Sequence, residues 1–478
     1  MSRSCPRLVL AGLRGGAGKT TISVALAVAL QKRGLKVVPF KKGPDYIDAA
    51  WLARAASGPC YNLDTFLIGR EQVIRSFLRR APAGGISLIE GNRGIYDGMN
   101  GEGEHSTAEL AKLLRAPVIL VVDCEKVTRT TAAMVLGCQH LDPGIDIQGV
   151  ILNRVGGARH GTLVKRAIED ICRIPVLGEM PRREDFPFPE RHLGLVPPQE
   201  HELVSAALQR AGELAEAYLD MEALIQIARS APDWEGEEVS SVSSAKESGD
   251  KPVTIGVIRD RAFQFYYHEN IEALKEAGAR IVEISAIEDQ RLPDLDALYI
   301  GGGFPETQAG PLAENGSFRR SLREAAADGL PIYAECGGLI YLGESLTIGE
   351  VHYPMAGALP VTFGLEKRPQ GHGYTILEVE RENPFFPVGT RLKGHEFHYC
   401  RILSLGAGED QLACRVSRGT GIDGKRDGLT ANNILAGFTH LHALGTPQWA
   451  PGMIGQARRY RERRKAGETP AFPTLLNK

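Results

Sequence analysis

Residues 8–21 read Leu8-Val-Leu-Ala-Gly-Leu-Arg-Gly-Gly-Ala-Gly-Lys-Thr-Thr21. An apolar run passes through a glycine-rich turn into a helix-like stretch without a break. Gly15, Gly16 and Gly18 let backbone N–H groups turn toward one point, and the positive end of the helix that follows favours an anion there. In that frame Lys19 reaches the terminal phosphates of a nucleotide, Thr20 is placed to bind Mg2+, and Thr21 belongs to the same cradle. The strict phosphate-loop spacing puts glycine at position 13, where this chain has Leu13; the preceding glycine is Gly12.

Working outward, short apolar runs at Leu8–Ala11, Lys36–Pro39, Ser87–Ile89, Val118–Val122 and Gly149–Leu152 alternate with helix-like stretches such as Thr20–Arg33 and Ser106–Leu114. This order predicts a parallel sheet covered by helices. From Pro232 to Pro252 the chain reads PDWEGEEVSSVSSAKESGDKP, a polar stretch with little to bury, as expected of a tether. The alternation then restarts with Val253–Ile258, His268–Ala277, Arg280–Ile284, Ala297–Ile300 and Pro331–Ala334. The expected organisation is a nucleotide-binding domain over 1–231, a linker over 232–252, a second α/β domain over 253–446 and a basic tail over 447–478. With 478 residues the chain is long enough for two such cores. The tail carries Arg458, Arg459, Arg461, Arg463, Arg464 and Lys465, read as a solvated terminal helix because no groove-reading motif accompanies it.

Composition narrows the classes. Lys+Arg is 56 and Asp+Glu 58, a net charge of −2, so no global attraction to nucleic acid or an anionic membrane follows. Apolar runs such as Ala116–Val122 fall far short of the roughly 20 residues a membrane span needs, and a cytoplasmic location is expected. The eight cysteines include no Cys-x-x-Cys pair, which argues against a zinc knuckle or a disulfide framework.

Two further segments follow strands and should face the phosphate loop, because ligands of open parallel sheets bind at the carboxyl ends of the strands. They are Phe40-Lys-Lys-Gly-Pro-Asp-Tyr-Ile-Asp48 and Ile89-Glu-Gly-Asn-Arg-Gly-Ile-Tyr-Asp-Gly98. Glu90 and Asp45 are the candidates to join Thr20 on Mg2+. Asp48, Asp64 and Asp97, with Lys41, Lys42 and Arg93, are candidates to orient an anionic substrate; the alternative for the three aspartates is that they cap turns. A guanine-selecting Asn-Lys-x-Asp is absent, and Asn153-Arg154 is an adenine-side candidate.

In the second half, Leu330-Pro-Ile-Tyr-Ala-Glu-Cys-Gly-Gly-Leu-Ile-Tyr-Leu342 is an apolar strand, a cysteine among small residues and an apolar helix. Such an elbow presents Cys336 as a nucleophile, aims the Gly337 N–H at an oxyanion and favours thiolate at the helix N-terminus. Leu298-Tyr-Ile-Gly-Gly-Gly-Phe-Pro-Glu306 offers a second oxyanion N–H near Gly303, and Phe438-Thr-His-Leu-His442 offers a base.

These motifs carry a resemblance. The loop with its shifted glycine is similar to those of dethiobiotin synthetase and the corrinoid amide synthases, and also to partition and septum-site ATPases, although Arg14 stands where the latter have their signature lysine. Lys-x-Gly-Pro-Asp-Tyr-Ile-Asp, then Asn62-Leu63-Asp64, then Glu-Gly-x-x-Gly-Ile-Tyr-Asp-Gly, followed by the cysteine elbow, resembles the cobyrinic acid a,c-diamide synthase family over nearly all of residues 7–445. The resemblance implies an α/β protein: an N-terminal dethiobiotin-synthetase-like parallel-sheet domain and a C-terminal class I glutamine amidotransferase domain. It implies ATP with Mg2+, L-glutamine and a polycarboxylate tetrapyrrole as partners, and activation of the a- and c-side-chain carboxylates as acyl phosphates for attack by ammonia. Class I amidotransferases carry Glu two positions after the histidine, where this chain has His442. The corrinoid synthases this chain resembles share that departure, so His440 is assigned as the base for Cys336, with His442 as second choice or orienter. Gly394-His-Glu-Phe-His-Tyr-Cys400 would wall the glutamine pocket, unless His395 and His398 are satisfied core histidines. Relatives that act on sirohaem or nickel sirohydrochlorin make the macrocycle an open choice, since Asp123-Cys-Glu-Lys-Val-Thr-Arg129 departs from the corrinoid pattern. A partition-type nucleotide switch is the reading from another class, and a homodimer is left open.

Overall fold

In the computed structural model, the described residues are 2–182, 190–191, 194–195, 198, 203–235, 251–406 and 408–468. The chain divides into two compact units, residues 1–241 and 242–478.

The first unit is built on a seven-stranded, all-parallel sheet. Its strands lie in the spatial order Tyr61–Leu63, Val37–Lys42, Ile86–Glu90, Arg7–Gly12, Val118–Asp123, Ile147–Val155 and Val176–Pro181. The strand Arg7–Gly12 is buried along its whole length, as its apolar run requires, and the helix Lys19–Lys32 leaves its end to cover the sheet. Arg7 is itself fully buried; its guanidinium donates to the carbonyls of Cys5, Leu114, Arg115 and Pro232, so the charge is spread over backbone acceptors. Trp234 lies beside it, with the guanidinium of Arg115 4.8 Å from its ring centre, and the short strand Trp234–Glu235 pairs with Ser2–Arg3. The tether expected from residue 232 therefore contributes its first residues to this unit, and its remaining 236–250 lie outside the described residues.

The second unit has a ten-stranded mixed sheet. Five parallel strands come first: Ala279–Ile284, Val253–Ile258, Ala297–Ile300, Ile332–Glu335 and Ile434–Gly437. An antiparallel block extends it through Arg426–Ala431, Leu412–Arg418, Gly371–Val379, Arg391–His398 and His440–Leu441. The helix Trp449–Ala466 is the last element of the described chain. It buries Trp449, Ala450, Met453, Ile454, Ala457 and Tyr460, and Arg464 pairs with Asp294 while Arg463 donates to the Asp328 carbonyl. The basic stretch expected as a terminal helix is helical, and one face of it is buried within the second unit instead of being solvated all round. The apolar face of this helix was obscured by six basic residues, several of which bond to the same domain. Residues 469–478 lie outside the described residues. Among the described residues, no helix is long and apolar enough to cross a membrane.

Candidate active sites

The glycine-rich turn sits between strand Arg7–Gly12 and helix Lys19–Lys32, as its composition demands. Gly18 has φ +91°, and a Cβ there would lie 2.1 Å from Asn153 Nδ2, so only glycine fits. Asn153 donates to the Ala17 carbonyl at 2.9 Å, and Arg154 donates to the Gly16 carbonyl at 3.0 Å. Asp123 receives Arg154 at 2.8 Å and Arg14 at 2.5 Å, so one carboxylate fastens the loop from two sides. Asn153 and Arg154 thus hold the loop through its backbone. A Cβ at Gly15 or Gly16 would meet nothing within 4 Å, leaving that side of the turn open. Thr21, the first unit's other threonine of the cradle, lies in the first turn of the helix.

Behind the loop the two expected segments converge. The Lys19 ammonium donates to the carbonyls of Arg14 at 3.3 Å and Arg93 at 2.8 Å, and Thr20 Oγ1 donates to Glu90 Oε1 at 2.8 Å. Lys41 Nζ lies 2.7 Å from both Asp48 Oδ2 and Glu90 Oε1 and is almost completely buried. Burial opposes the Lys41 charge, yet Asp48 and Glu90 reverse that effect and raise its pKa well above the usual lysine value. Asp45 accepts the Asp48 N–H, and burial together with the nearby Asp48 charge pushes its carboxyl up to about 7. Burial also raises Glu90, whose Oε2 has no hydrogen-bond partner among the described residues.

The remaining candidates are placed differently. Asp64 is fully buried and accepts the N–H groups of Phe66 and Leu67, and its charge supports the buried Lys42. Asp97 accepts the Gly94 N–H at 2.8 Å. Both aspartates therefore cap turns, the alternative weighed for them. Arg93 is exposed, with φ +51° turning its carbonyl toward Lys19.

The second unit forms the elbow. Cys336 has φ +48° and ψ −98°, a conformation rare for a residue with a side chain, between strand Ile332–Glu335 and helix Gly337–Leu342. Its Sγ lies 3.8 Å from the Phe397 carbonyl oxygen, inside the segment expected to wall the pocket. Burial and then the Glu306 charge raise the thiol pKa, outweighing the Gly337 N–H that pulls the other way. Burial thus works against the thiolate that the helix N-terminus is expected to favour.

The turn Gly301–Gly303 approaches both Gly337, the residue after Cys336, and His440. A Cβ at Gly337 would lie 3.0 Å from Gly303 N, and one at Gly302 would lie 2.4 Å from His440 Cε1. His440 stacks on His395, with ring centres 4.8 Å apart and the two residues paired across neighbouring strands. His440 Nδ1 lies 3.5 Å from Glu335 Oε2. His442 takes a different carboxylate: its Nε2 is 3.7 Å from Glu269 Oε1, its Nδ1 accepts the Leu444 N–H, and its ring packs on Tyr267. His398 stacks on Phe438 at 3.7 Å and pairs through Nδ1 with the Cys400 carbonyl, as a core histidine does. His395 meets Tyr267 Oη at 3.2 Å, and burial, reinforced by His440, holds its imidazole neutral.

Three supporting residues escaped the sequence reading. Asn270 clamps the histidine segment, donating to the Leu441 carbonyl at 2.9 Å and accepting the Ala443 N–H at 2.7 Å. Asp427 accepts the N–H groups of Gly428, Phe438 and Thr439. Glu335 did carry a signal, as a lone acid at the end of an apolar strand.

Two family models match the chain. Residues 8–196 match the CobQ/CobB/MinD/ParA nucleotide binding domain, and residues 254–448 match the CobB/CobQ-like glutamine amidotransferase domain. Fold and sites thus define a class of protein, a nucleotide-binding domain joined in one chain to a glutamine amidotransferase domain. Similar proteins called cobyrinate a,c-diamide synthase occur in Magnetococcus marinus, 42% identical over 96% of this chain and 98% of that protein, and in Methanothermobacter thermautotrophicus, 42% identical over 94% and 99%. A third, from Archaeoglobus fulgidus, is 40% identical over 95% of this chain and 97% of its own length. The chain belongs to the cobyrinate a,c-diamide synthase family and is a glutamine-hydrolysing ligase.

Proposed function

We propose that this protein amidates the a- and c-side-chain carboxylates of cobyrinic acid, using ATP and glutamine. The observation that carries the reading is identity to synthases of this name across both units, with the phosphate loop, the acidic segments and the cysteine elbow all present.

In the second unit, His440 takes the Cys336 proton as Sγ attacks the glutamine side-chain carbonyl. The N–H groups of Gly337 and Gly303 receive the developing oxyanion. Ammonia leaves with a proton returned by His440, and water then releases glutamate from the thioester. In the first unit, the loop N–H groups and Lys19 hold the ATP phosphates while a substrate carboxylate attacks the γ-phosphorus to give an acyl phosphate and ADP. Ammonia then displaces phosphate, leaving the amide. Thr20, Glu90 through Oε2 and Asp45 suit Mg2+, a hard cation that takes oxygen ligands and would neutralise charge on the transferred phosphoryl group. Lys41, neutralised by Asp48 and Glu90, acts within this site by fixing both carboxylates. Exposed Arg93 is the cation presented to the macrocycle, with Asp97 shaping its turn and Asp48 and Asp64 positioning the segments around it.

The test is incubation with ATP, glutamine and separate tetrapyrroles (cobyrinic acid, sirohaem, nickel sirohydrochlorin), followed by mass spectrometry. A diamide formed from cobyrinic acid alone is expected. Diamide formed only from a sirohydrochlorin-type macrocycle would transfer the reaction to that substrate. ATP hydrolysis without any amide or glutaminase activity would favour a nucleotide switch.

A further inference from the structure

We propose that Glu335 is the positioning residue for His440, supplying from the residue before the nucleophile the carboxylate that class I amidotransferases carry two positions after their histidine. The inference rests on the glutaminase reading of Cys336 and deepens it. The usual place is filled by His442, which is engaged with Glu269, Tyr267 and the Leu444 amide. Glu335 Oε2 instead lies 3.5 Å from His440 Nδ1, both side chains being at most 2% exposed. Catalytic hydrogen bonds commonly tighten from such distances once substrate is bound.

The carboxylate is held firmly in this place. Tyr299 Oη donates to Oε2 at 3.0 Å, Tyr333 Oη to Oε1 at 3.2 Å, and the Leu441 N–H to Oε1 at 2.9 Å. The same carboxylate therefore bonds the backbone of the residue after His440 through Oε1 while its Oε2 faces the His440 imidazole at 3.5 Å. Tyr299 is in turn bonded by Asn270, which clamps the histidine segment from its other side. With Nδ1–H directed at Glu335, Nε2 keeps its lone pair, and the Cε1–Nε2 edge faces Gly302 in the turn that also approaches Gly337. That is the tautomer a base for Cys336 requires. A carboxylate in this role orients the imidazole and stabilises the imidazolium without taking the proton itself.

The experiment compares the parent with Glu335→Gln and Glu335→Asp in glutaminase assays across pH, with ammonia-dependent amidation confirming an intact first unit. The groups that face His440 are Glu335 at Nδ1 and His395 on the ring face, with His442 and His372 acting on His395; only Glu335 is changed. For Glu335→Gln the glutaminase kcat is expected to fall about a hundredfold or more with KM nearly unchanged. The acidic limb should move to lower pH, because imidazolium loses its anion, while Glu335→Asp keeps the limb in place and recovers part of the rate. A kcat within about threefold of the parent, or a fall with the limb unmoved, overturns the inference. A parent without glutaminase activity overturns the functional reading itself. Should Glu335→Gln fail to fold, proton NMR of the parent decides: a downfield imidazole N–H resonance lost in His440→Gln supports the contact, and its absence overturns it.

Discussion

At the scale of single residues, the second site depends on a glycine that leaves room for a side chain. Gly302 approaches His440 so closely that a methyl group would displace the ring. A shift of about 1 Å in a catalytic group can cost roughly a hundredfold in rate. Gly302→Ala is therefore expected to lower glutamine-dependent amidation by about that factor while leaving the ammonia-dependent rate unchanged, as a paired assay with the two nitrogen sources will show. The glycine run 301–303 was legible as a turn, and its nearness to Cys336 was inferred for Gly303. That Gly302 bears on His440 was not legible, since the two are joined only by the order of the strands. The same holds for Asp64 and Asp97: the residue type invited a substrate role, whereas their hydrogen bonds are decided by which N–H groups the folded turn presents.

At the scale of elements, the parallel strands and the helices between them announced themselves by composition. Leu8–Ala11 became Arg7–Gly12, and Val253–Ile258 and Ala297–Ile300 appear with the expected bounds. The antiparallel block over Gly371–Leu441 had no such signature, because its strands are half-buried and mix polar residues among apolar ones. Asp427 links that block to the site by tying strand Arg426–Ala431 to the residues just before His440. Burial raises its carboxyl above the ordinary range even though the Phe438, Gly428 and Thr439 groups pull it down. An acid with a raised folded-state pKa keeps its proton where the unfolded chain has lost it. Its contribution to stability is thus fullest in acid and falls as pH rises through the ordinary carboxylate range toward the raised value. Asp427→Asn should lower the melting temperature, and the deficit relative to the parent should shrink as pH rises above the ordinary aspartate range of about 4. A deficit that grows as pH rises would contradict the assignment.

At the scale of the whole molecule, the nucleotide-binding domain and the glutamine amidotransferase domain fall in different units, each with its own core. Cys336→Ala should abolish glutamine-dependent amidation yet retain the ammonia-dependent reaction, whereas Lys19→Ala should abolish product from either nitrogen source. Loss of both activities in a folded Cys336→Ala protein would contradict this division. The amino-acid sequence by itself determined the two α/β domains, the phosphate loop with its convergent acids and the cysteine elbow, because glycines, strand-forming runs and reactive residues act within a few positions of one another. Only the tertiary structure decided that Lys41 is spent on Asp48 and Glu90, that the basic terminal helix packs into the second unit, and that His440 and His442 fall to different carboxylates. Each of those outcomes depends on contacts between residues far apart in the chain, where burial and competition among partners, rather than local residue type, determine which pairs form.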